Sequence, residues 1–157
     1  MTLTFLVVGK LSKGYLKDGC DDFLTRLGAF AKVTLVEVPE VALKNPSPSE
    51  ITKAKEKASQ ALLSKLPKGY VIACDLKGKS LSSEGLAKTL NHIQTYQDSH
   101  VIFVVGGSHG LTETVRQKAD LVWSLSKLTF PHQLFRLILL EQVYRAFTIN
   151  AHHPYHK

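Results

Sequence analysis

The chain has 157 residues, of which 44% are hydrophobic and 21% are charged, and its formal net charge at pH 7 is +7. A chain of this length can bury a sizeable core, so we expect residues 1–157 to form a single domain. No apolar run approaches the ~20 residues of a membrane helix, and residues 1–5 lack the features of a signal peptide. The positive charge favours nucleic acid as a partner over a membrane, and the lesser alternative is that it serves solubility alone.

The cysteines and histidines of the chain bear on whether it has disulfides or a metal site. Cys20 and Cys74 lie far apart and form no C-x-x-C pair, which predicts reduced thiols in a cytoplasmic protein rather than a disulfide framework. Several histidines lie near the C-terminus, but no neighbouring carboxylate or cysteine completes a ligand set there. We therefore expect no metal site.

Strand and helix patterns alternate along the whole chain. In order, we predict a strand at 3–9, a helix at 16–27, a strand at 33–38, a mobile loop at 41–46, a helix starting at Ser47, a strand at 70–76, a helix at 82–96, a strand at 101–105, a short helix at 112–119, a short strand at 121–125 and a helix from Pro131 to about Ile149. Ser47, Pro48 and Glu50 have the pattern of a capping box with proline in the first turn. This alternation predicts an α/β domain with a mostly parallel sheet flanked by helices.

The final predicted helix is apolar around most of its circumference. Its polar residues, Gln133, Arg136 and Arg145, form only a narrow strip. Such a helix has to be covered on more than one side. We expect one side to face the sheet and another to face a second copy of the chain, which predicts a homodimer.

The predicted strand at 101–105 runs directly into the glycine turn Gly106-Gly107-Ser108-His109-Gly110. Glycines at a strand end let a flat ligand approach the backbone, and ligands of open α/β sheets bind outside the carboxyl ends of the strands. The spacing is not the G-x-G-x-x-G of dinucleotide-binding folds, and no G-x-x-x-x-G-K-[ST] is present. A P-loop nucleotide hydrolase is therefore excluded, and an NAD-dependent enzyme is disfavoured.

Two further strand ends could converge with the glycine turn on one pocket. One lies at Cys74, and the other is the segment Leu125-Ser126-Lys127-Leu128-Thr129-Phe130. A short apolar loop with free backbone N–H and C=O groups suits an adenine ring, which needs apolar contact on its faces and hydrogen bonds at its edge.

The sequence resembles the ribosomal RNA large subunit methyltransferase H family, a SPOUT-class family of methyltransferases. The matching segments are Val7–Lys10, Asp75–Lys79, Val105–Leu111, Trp123–His132, Glu141–Ala146 and His153–Lys157, in the expected order along essentially the whole chain. The resemblance implies a C-terminal trefoil-type knot, S-adenosylmethionine as methyl donor and a homodimer. It also implies methylation of N3 of a pseudouridine in 23S rRNA, within the assembled large subunit or ribosome.

Carried over to this sequence, the resemblance implies a donor pocket of Cys74, Gly106, Gly107, Leu125, Ser126, Lys127, Leu128, Thr129 and Phe130. Candidate RNA-binding residues are Arg145, His153, Tyr155, His156 and Lys157. No general base is identified, and the catalytic candidates are His132, Arg136, Tyr155 and His156.

Structural alternatives stand beside these roles. The C-terminal residues could be frayed, Arg145 could form an ion pair with Glu141 at i,i+4 spacing, and Trp123 is better suited to the core than to base stacking. The main competing function is a non-enzymatic ribosome- or RNA-binding factor with the same fold.

Overall fold

The computed structural model describes residues 1–157 as one alternating series of strands and helices. The elements are β1 (Thr2–Val8), α1 (Gly14–Leu27), β2 (Lys32–Val38), α2 (Pro48–Lys65), β3 (Tyr70–Ser80), α3 (Ser83–Tyr96), β4 (His100–Val105), α4 (Glu113–Lys118), β5 (Leu121–Ser124) and α5 (His132–Asn150). They form a five-stranded sheet in the order β2-β1-β4-β3-β5, in which every pair of neighbours is parallel. The predicted α/β architecture is confirmed.

The boundaries of most elements agree with the sequence prediction to within one or two residues. The start of α2 agrees in detail, because the Ser47 side chain accepts from the Glu50 backbone N–H while the Glu50 side chain accepts from the Ser47 N–H. Ser82 caps α3 in the same manner by accepting a hydrogen bond from the Gly85 N–H. These caps satisfy backbone donors that helix starts otherwise leave unpaired.

The predicted end of β3 is wrong. We expected the strand to end near residue 76, but it continues to Ser80, because Lys79 and Ser80 pair with Trp123 and Ser124 after a register shift. Gly78 makes this possible, since a Cβ at that position would lie 2.6 Å from the backbone carbon of Trp123. Only a residue without a side chain allows β3 and β5 to approach so closely.

The sheet separates two apolar layers. On one face α1, α3 and α5 pack against side chains such as Phe5, Phe103 and Trp123, and Phe5 stacks on Phe103 with ring centroids 5.2 Å apart. On the other face α2 and α4 cover a smaller cluster that includes Leu62 and Val115. Trp123 is 2% exposed, which confirms its expected place in the core. No helix combines the length and apolar character required to cross a membrane.

Helix α5 packs against the sheet on one side, as expected. The helix contacts α1 on one flank and α3 on the other, while Leu139, Leu140 and Val143 are buried against the sheet. Leu134, Leu137 and Ile138 are only partly buried, and the homodimer stays a prediction. The knot that the family resemblance implies stays a prediction.

Candidate active site

A cavity of about 530 Å³ lies at the carboxyl ends of β4 and β5, beside the point in β3 where its pairing with β4 ends, and at the start of α5. This volume falls within the range of about 300–1,000 Å³ that is typical of small-molecule sites. Eight of the nine residues predicted for the donor pocket line it: Cys74, Gly106, Gly107, Leu125, Ser126, Leu128, Thr129 and Phe130. Lys127 does not line it, and its side chain is exposed. Cys74, the glycine turn and the segment after β5 do meet in one place, although Cys74 lies within β3 and not at its end.

The glycine turn after β4 forms a tight backbone wall of the cavity. Gly107 and Gly110 form an isolated bridge, and Gly110 has a φ of +80°. A Cβ on Gly106 would lie 2.6 Å from the backbone carbon of Gly110, closer than real side chains pack. The turn therefore requires glycine at both places, since Gly106 has no room for a side chain and Gly110 has a left-handed backbone.

The segment between β5 and α5 is fixed by its own serines. The Ser124 hydroxyl donates to the Ser126 carbonyl at 3.0 Å, and the Ser126 hydroxyl accepts from the Leu128 backbone N–H at 3.0 Å. Leu125 and Phe130 are half-buried on the cavity side, whereas Leu128 is 69% exposed at its rim. The segment thus gives the cavity an apolar wall with a defined backbone shape.

Cys74 supplies a second apolar part of the wall. Its thiol is buried and free, and burial raises its pKa well above the usual range. Burial likewise raises the pKa of Cys20 to about 11. Both groups are therefore neutral thiols at physiological pH, and Cys74 contacts the cavity as a small hydrophobic side chain.

A carboxylate that the sequence analysis missed fixes the glycine turn. Glu40 Oε1 accepts from the Ser108 backbone N–H at 2.8 Å and from the Ser108 hydroxyl at 3.0 Å. Glu40 Oε2 lies 3.3 Å from His132 Nε2, and the Ser108 Oγ lies 3.4 Å from His132 Nδ1. We call Glu40, Ser108 and His132 the Glu40 clamp. It joins the β2–α2 loop, the glycine turn and the first residue of α5.

A second ion pair lies at the register shift within β3. Arg116 Nη1 is 3.1 Å from Asp75 Oδ2 and also donates to the Leu111 carbonyl at 2.9 Å. Arg116 Nη2 is 2.8 Å from Glu113 Oε2. Asp75, Leu111 and Arg116 all line the cavity, so this pair holds α4 and the end of the glycine turn against β3.

Comparison with known proteins identifies the family. The model of a family described as predicted SPOUT methyltransferase matches residues 1–156, which is nearly the entire chain. The chain belongs to this SPOUT methyltransferase family. SPOUT methyltransferases use S-adenosylmethionine as their methyl donor.

Solved structures share the fold of this SPOUT methyltransferase. A probable methyltransferase from Bordetella pertussis Tohama I has a TM-score of 0.55 at 13% identity, over 92% of this chain and 95% of that one. A probable methylase family protein from Haemophilus influenzae Rd KW20 has a TM-score of 0.53 at 11% identity, over 99% and 70%. A tRNA (m1G37) methyltransferase from Aquifex aeolicus has a TM-score of 0.50 at 15% identity, over 92% and 70%. At these identities the likeness concerns the fold alone.

Two catalytic candidates of the SPOUT methyltransferase lie at the start of α5, in different surroundings. His132 lines the cavity, whereas Arg136 is 3% exposed and does not. The Arg136 guanidinium donates to Glu37 Oε2 at 2.7 Å and to the Gly9 carbonyl at 2.8 Å. The prediction that Arg136 lies on a polar strip of α5 is wrong. Its buried guanidinium instead ties α5 to the ends of β1 and β2.

The C-terminal tail packs against its own chain. Arg145 forms the expected ion pair with Glu141 at 2.6 Å, and the Tyr155 hydroxyl donates to the same Glu141 oxygen at 3.1 Å. His156 Nε2 lies 2.8 Å from Glu84 Oε1. Burial of the Tyr155 side chain raises the pKa of its hydroxyl above the usual value. The tail is thus held in place by these contacts.

The predicted RNA-binding residues lie apart from the cavity. His153 packs edge-on against Phe30 with centroids 5.9 Å apart, and Lys157 is exposed. None of the five residues Arg145, His153, Tyr155, His156 and Lys157 lines the cavity. Arg145 lies thirteen positions after His132 in the helix, a rise of about 20 Å. Within one chain, the cavity and the tail are at opposite ends of α5.

Proposed function

We propose that this SPOUT methyltransferase methylates N3 of a pseudouridine in 23S rRNA of the assembled large subunit or ribosome, as a cytoplasmic homodimer that binds S-adenosylmethionine. The observation that carries the methyltransferase part is the cavity beside Cys74, bounded by the glycine turn and the β5–α5 segment. The choice of nucleotide rests on the set of sequence motifs, from Val7–Lys10 to His153–Lys157, that resembles one family of ribosomal RNA methyltransferases.

The residues that line the cavity fit S-adenosylmethionine. When bound, the donor would supply an electrophilic methyl group on a sulfonium sulfur. Cys74, Leu125 and Phe130 offer apolar contact to the faces of an adenosyl group, and the backbone of the 125–130 segment offers hydrogen bonds to its edge. The glycines of the turn, Gly106, Gly107 and Gly110, line the cavity without side chains that would cover their main-chain groups.

The proposed reaction needs positioning and removal of one proton. The ring nitrogen loses its proton and bonds to the methyl carbon as the carbon–sulfur bond breaks, so most of the acceleration comes from in-line placement. Of the catalytic candidates, His132 borders the cavity in the Glu40 clamp. Tyr155 and His156 belong to the tail and would have to be supplied to the cavity from outside its own chain.

The separation of cavity and tail favours a homodimer in which each site combines the cavity of one protomer with the tail of the other. Arg145, Tyr155 and His156 already form an ordered cationic and aromatic group with Glu141 and Glu84. Aromatic rings and cations of this kind suit a single-stranded or flipped nucleotide. A two-fold dimer would create two such composite sites.

The proposed activity is tested by methyl transfer to ribosomes. We expect the protein to incorporate radiolabel from S-adenosyl-[methyl-³H]methionine into 23S rRNA of ribosomes that lack the modification, with ribosomes already methylated as the control. Nucleoside digestion followed by mass spectrometry should then identify N3-methylpseudouridine. Tight ribosome binding without donor binding or transfer would instead support the non-enzymatic RNA-binding factor.

The composite site is tested by mixing two inactive variants. We expect Gly106→Val, which disrupts the cavity, and Tyr155→Ala, which disrupts the tail, to be inactive separately. After the two proteins are unfolded together and refolded, activity should return to about a quarter of wild type, because half of random dimers are mixed and each has one intact site. An inactive mixture that contains mixed dimers by native mass spectrometry would place both parts of a site in the same chain.

A further inference from the structure

Two lysines outside the predicted RNA-binding set border the same cavity. Lys55 comes from the middle of α2 and is half-buried, and Lys77 comes from β3 and is exposed. Neither ammonium group lies within 4.0 Å of a carboxylate, since no ion pair in the structure includes them. Two unpaired positive charges therefore face one recess.

The other charged groups around the cavity already have partners. Arg116 is paired with Asp75 and Glu113, and Glu40 is engaged by Ser108 and His132. Lys55 and Lys77 are thus the lysines at the cavity whose ammonium groups have no direct ion-pair partner. The proposed donor would not neutralise them, because its sulfonium and ammonium groups outweigh its single carboxylate. Two unpaired ammonium groups at one recess can therefore bind an anionic ligand in addition to the donor.

The rim beside these lysines is also apolar. Leu76, which precedes Lys77, is 59% exposed, and Leu128 across the cavity is 69% exposed. An exposed apolar rim beside unpaired cations can contact a ligand that has both an apolar and an anionic part. A nucleotide has both required parts, an apolar base face and an anionic phosphate.

We propose that Lys55 and Lys77 bind phosphates of the acceptor RNA at the cavity rim. This inference rests on the proposed function, and it adds a contact surface that the C-terminal tail does not provide. Lys55 lies on the sheet face covered by α2 and α4, whereas the tail lies on the face covered by α3 and α5. Within one chain the tail is therefore remote from these lysines, and in the proposed homodimer the lysines would hold RNA at a cavity that the partner's tail completes.

The test compares Lys55→Gln/Lys77→Gln with the control Lys57→Gln, an exposed lysine of α2 that does not border the cavity. Binding of a short fluorescein-labelled single-stranded RNA is measured over a series of salt concentrations, and donor binding is measured by calorimetry. We expect the double variant to bind RNA about tenfold more weakly. The slope of the logarithm of its binding constant against the logarithm of the salt concentration should be smaller by about 0.7 per lysine removed. Donor affinity should stay at the wild-type value, and Lys57→Gln should behave as wild type.

Each alternative outcome overturns the inference. If the double variant loses donor affinity while its RNA salt slope is unchanged, the lysines bind the donor carboxylate instead. If RNA binding falls equally in Lys57→Gln, the effect is one of general charge and not of the cavity rim. Because RNA binding is measured without catalysis, a wild-type protein that transfers no methyl group would refute the proposed function while this comparison still decides the role of the lysines.

Discussion

Replacement of Gly106 by valine is expected to abolish S-adenosylmethionine binding, lowering affinity by at least about 100-fold, a change of about 2.7 kcal/mol. The reason is steric, because a Cβ at this position would lie 2.6 Å from the Gly110 backbone carbon and 2.8 Å from its oxygen. The glycine turn would have to move, and with it the backbone wall of the cavity. Isothermal titration calorimetry with the wild-type protein as reference measures the loss directly.

Gly14→Ala is the matched control for this effect. Gly14 begins α1, and a Cβ there would meet no atom within 4 Å. Alanine at this position should leave donor binding unchanged. Circular dichroism and the thermal midpoint of Gly106→Val show whether the variant is folded. If a folded Gly106→Val protein binds S-adenosylmethionine with wild-type affinity, the glycine turn is not part of the donor site.

The second large effect concerns stability. Arg136→Met should lower the free energy of unfolding by about 3 kcal/mol, because removal of one partner leaves the charge of Glu37 and the Gly9 carbonyl without their hydrogen bonds. Methionine fills much of the same volume, so the loss reports mainly on the polar contacts. Urea unfolding followed by tryptophan fluorescence measures it, since Trp123 is the one tryptophan of the chain.

A double-mutant cycle separates the ion pair from other effects of the substitution. Glu37→Gln alone should also destabilise the protein, because it leaves the buried guanidinium without its counter-charge. The loss in the double variant should be smaller than the sum of the single losses by about 1 kcal/mol or more. Additive losses would show that the ion pair with Glu37 contributes nothing, and that Arg136 stabilises α5 through the Gly9 carbonyl and packing.

Local patterns in the sequence were sufficient to predict the element order. The glycine turn after β4 and the capping box at Ser47 are each encoded within a few consecutive residues, and the structure has both. The convergence of Cys74, Gly106 and the 125–130 segment was also predictable. It follows from the rule that the carboxyl ends of parallel strands lie at one edge of a sheet.

Contacts between distant residues were not predictable in this manner. Glu40 reaches Ser108 across 68 positions, and Arg136 reaches Gly9 across 127. A lone glutamate after a proline carries no local signal of a partner. A weak signal did exist for Arg136, since a single charge amid Phe135, Leu137 and Leu139 is typical of a buried, paired arginine. The extension of β3 past Gly78 likewise depends on the position of β5.

The length of helix α5 sets the distance and the direction of the C-terminal tail relative to His132. Each residue added to it or removed from it would shift the tail by about 1.5 Å and swing it by about 100° around the axis. Arg145 and Tyr155 would then face a new direction while His132 stayed in place. Relatives of this protein should therefore tolerate insertions in the irregular stretch at 41–46 yet keep the number of residues between Pro131 and Arg145 constant.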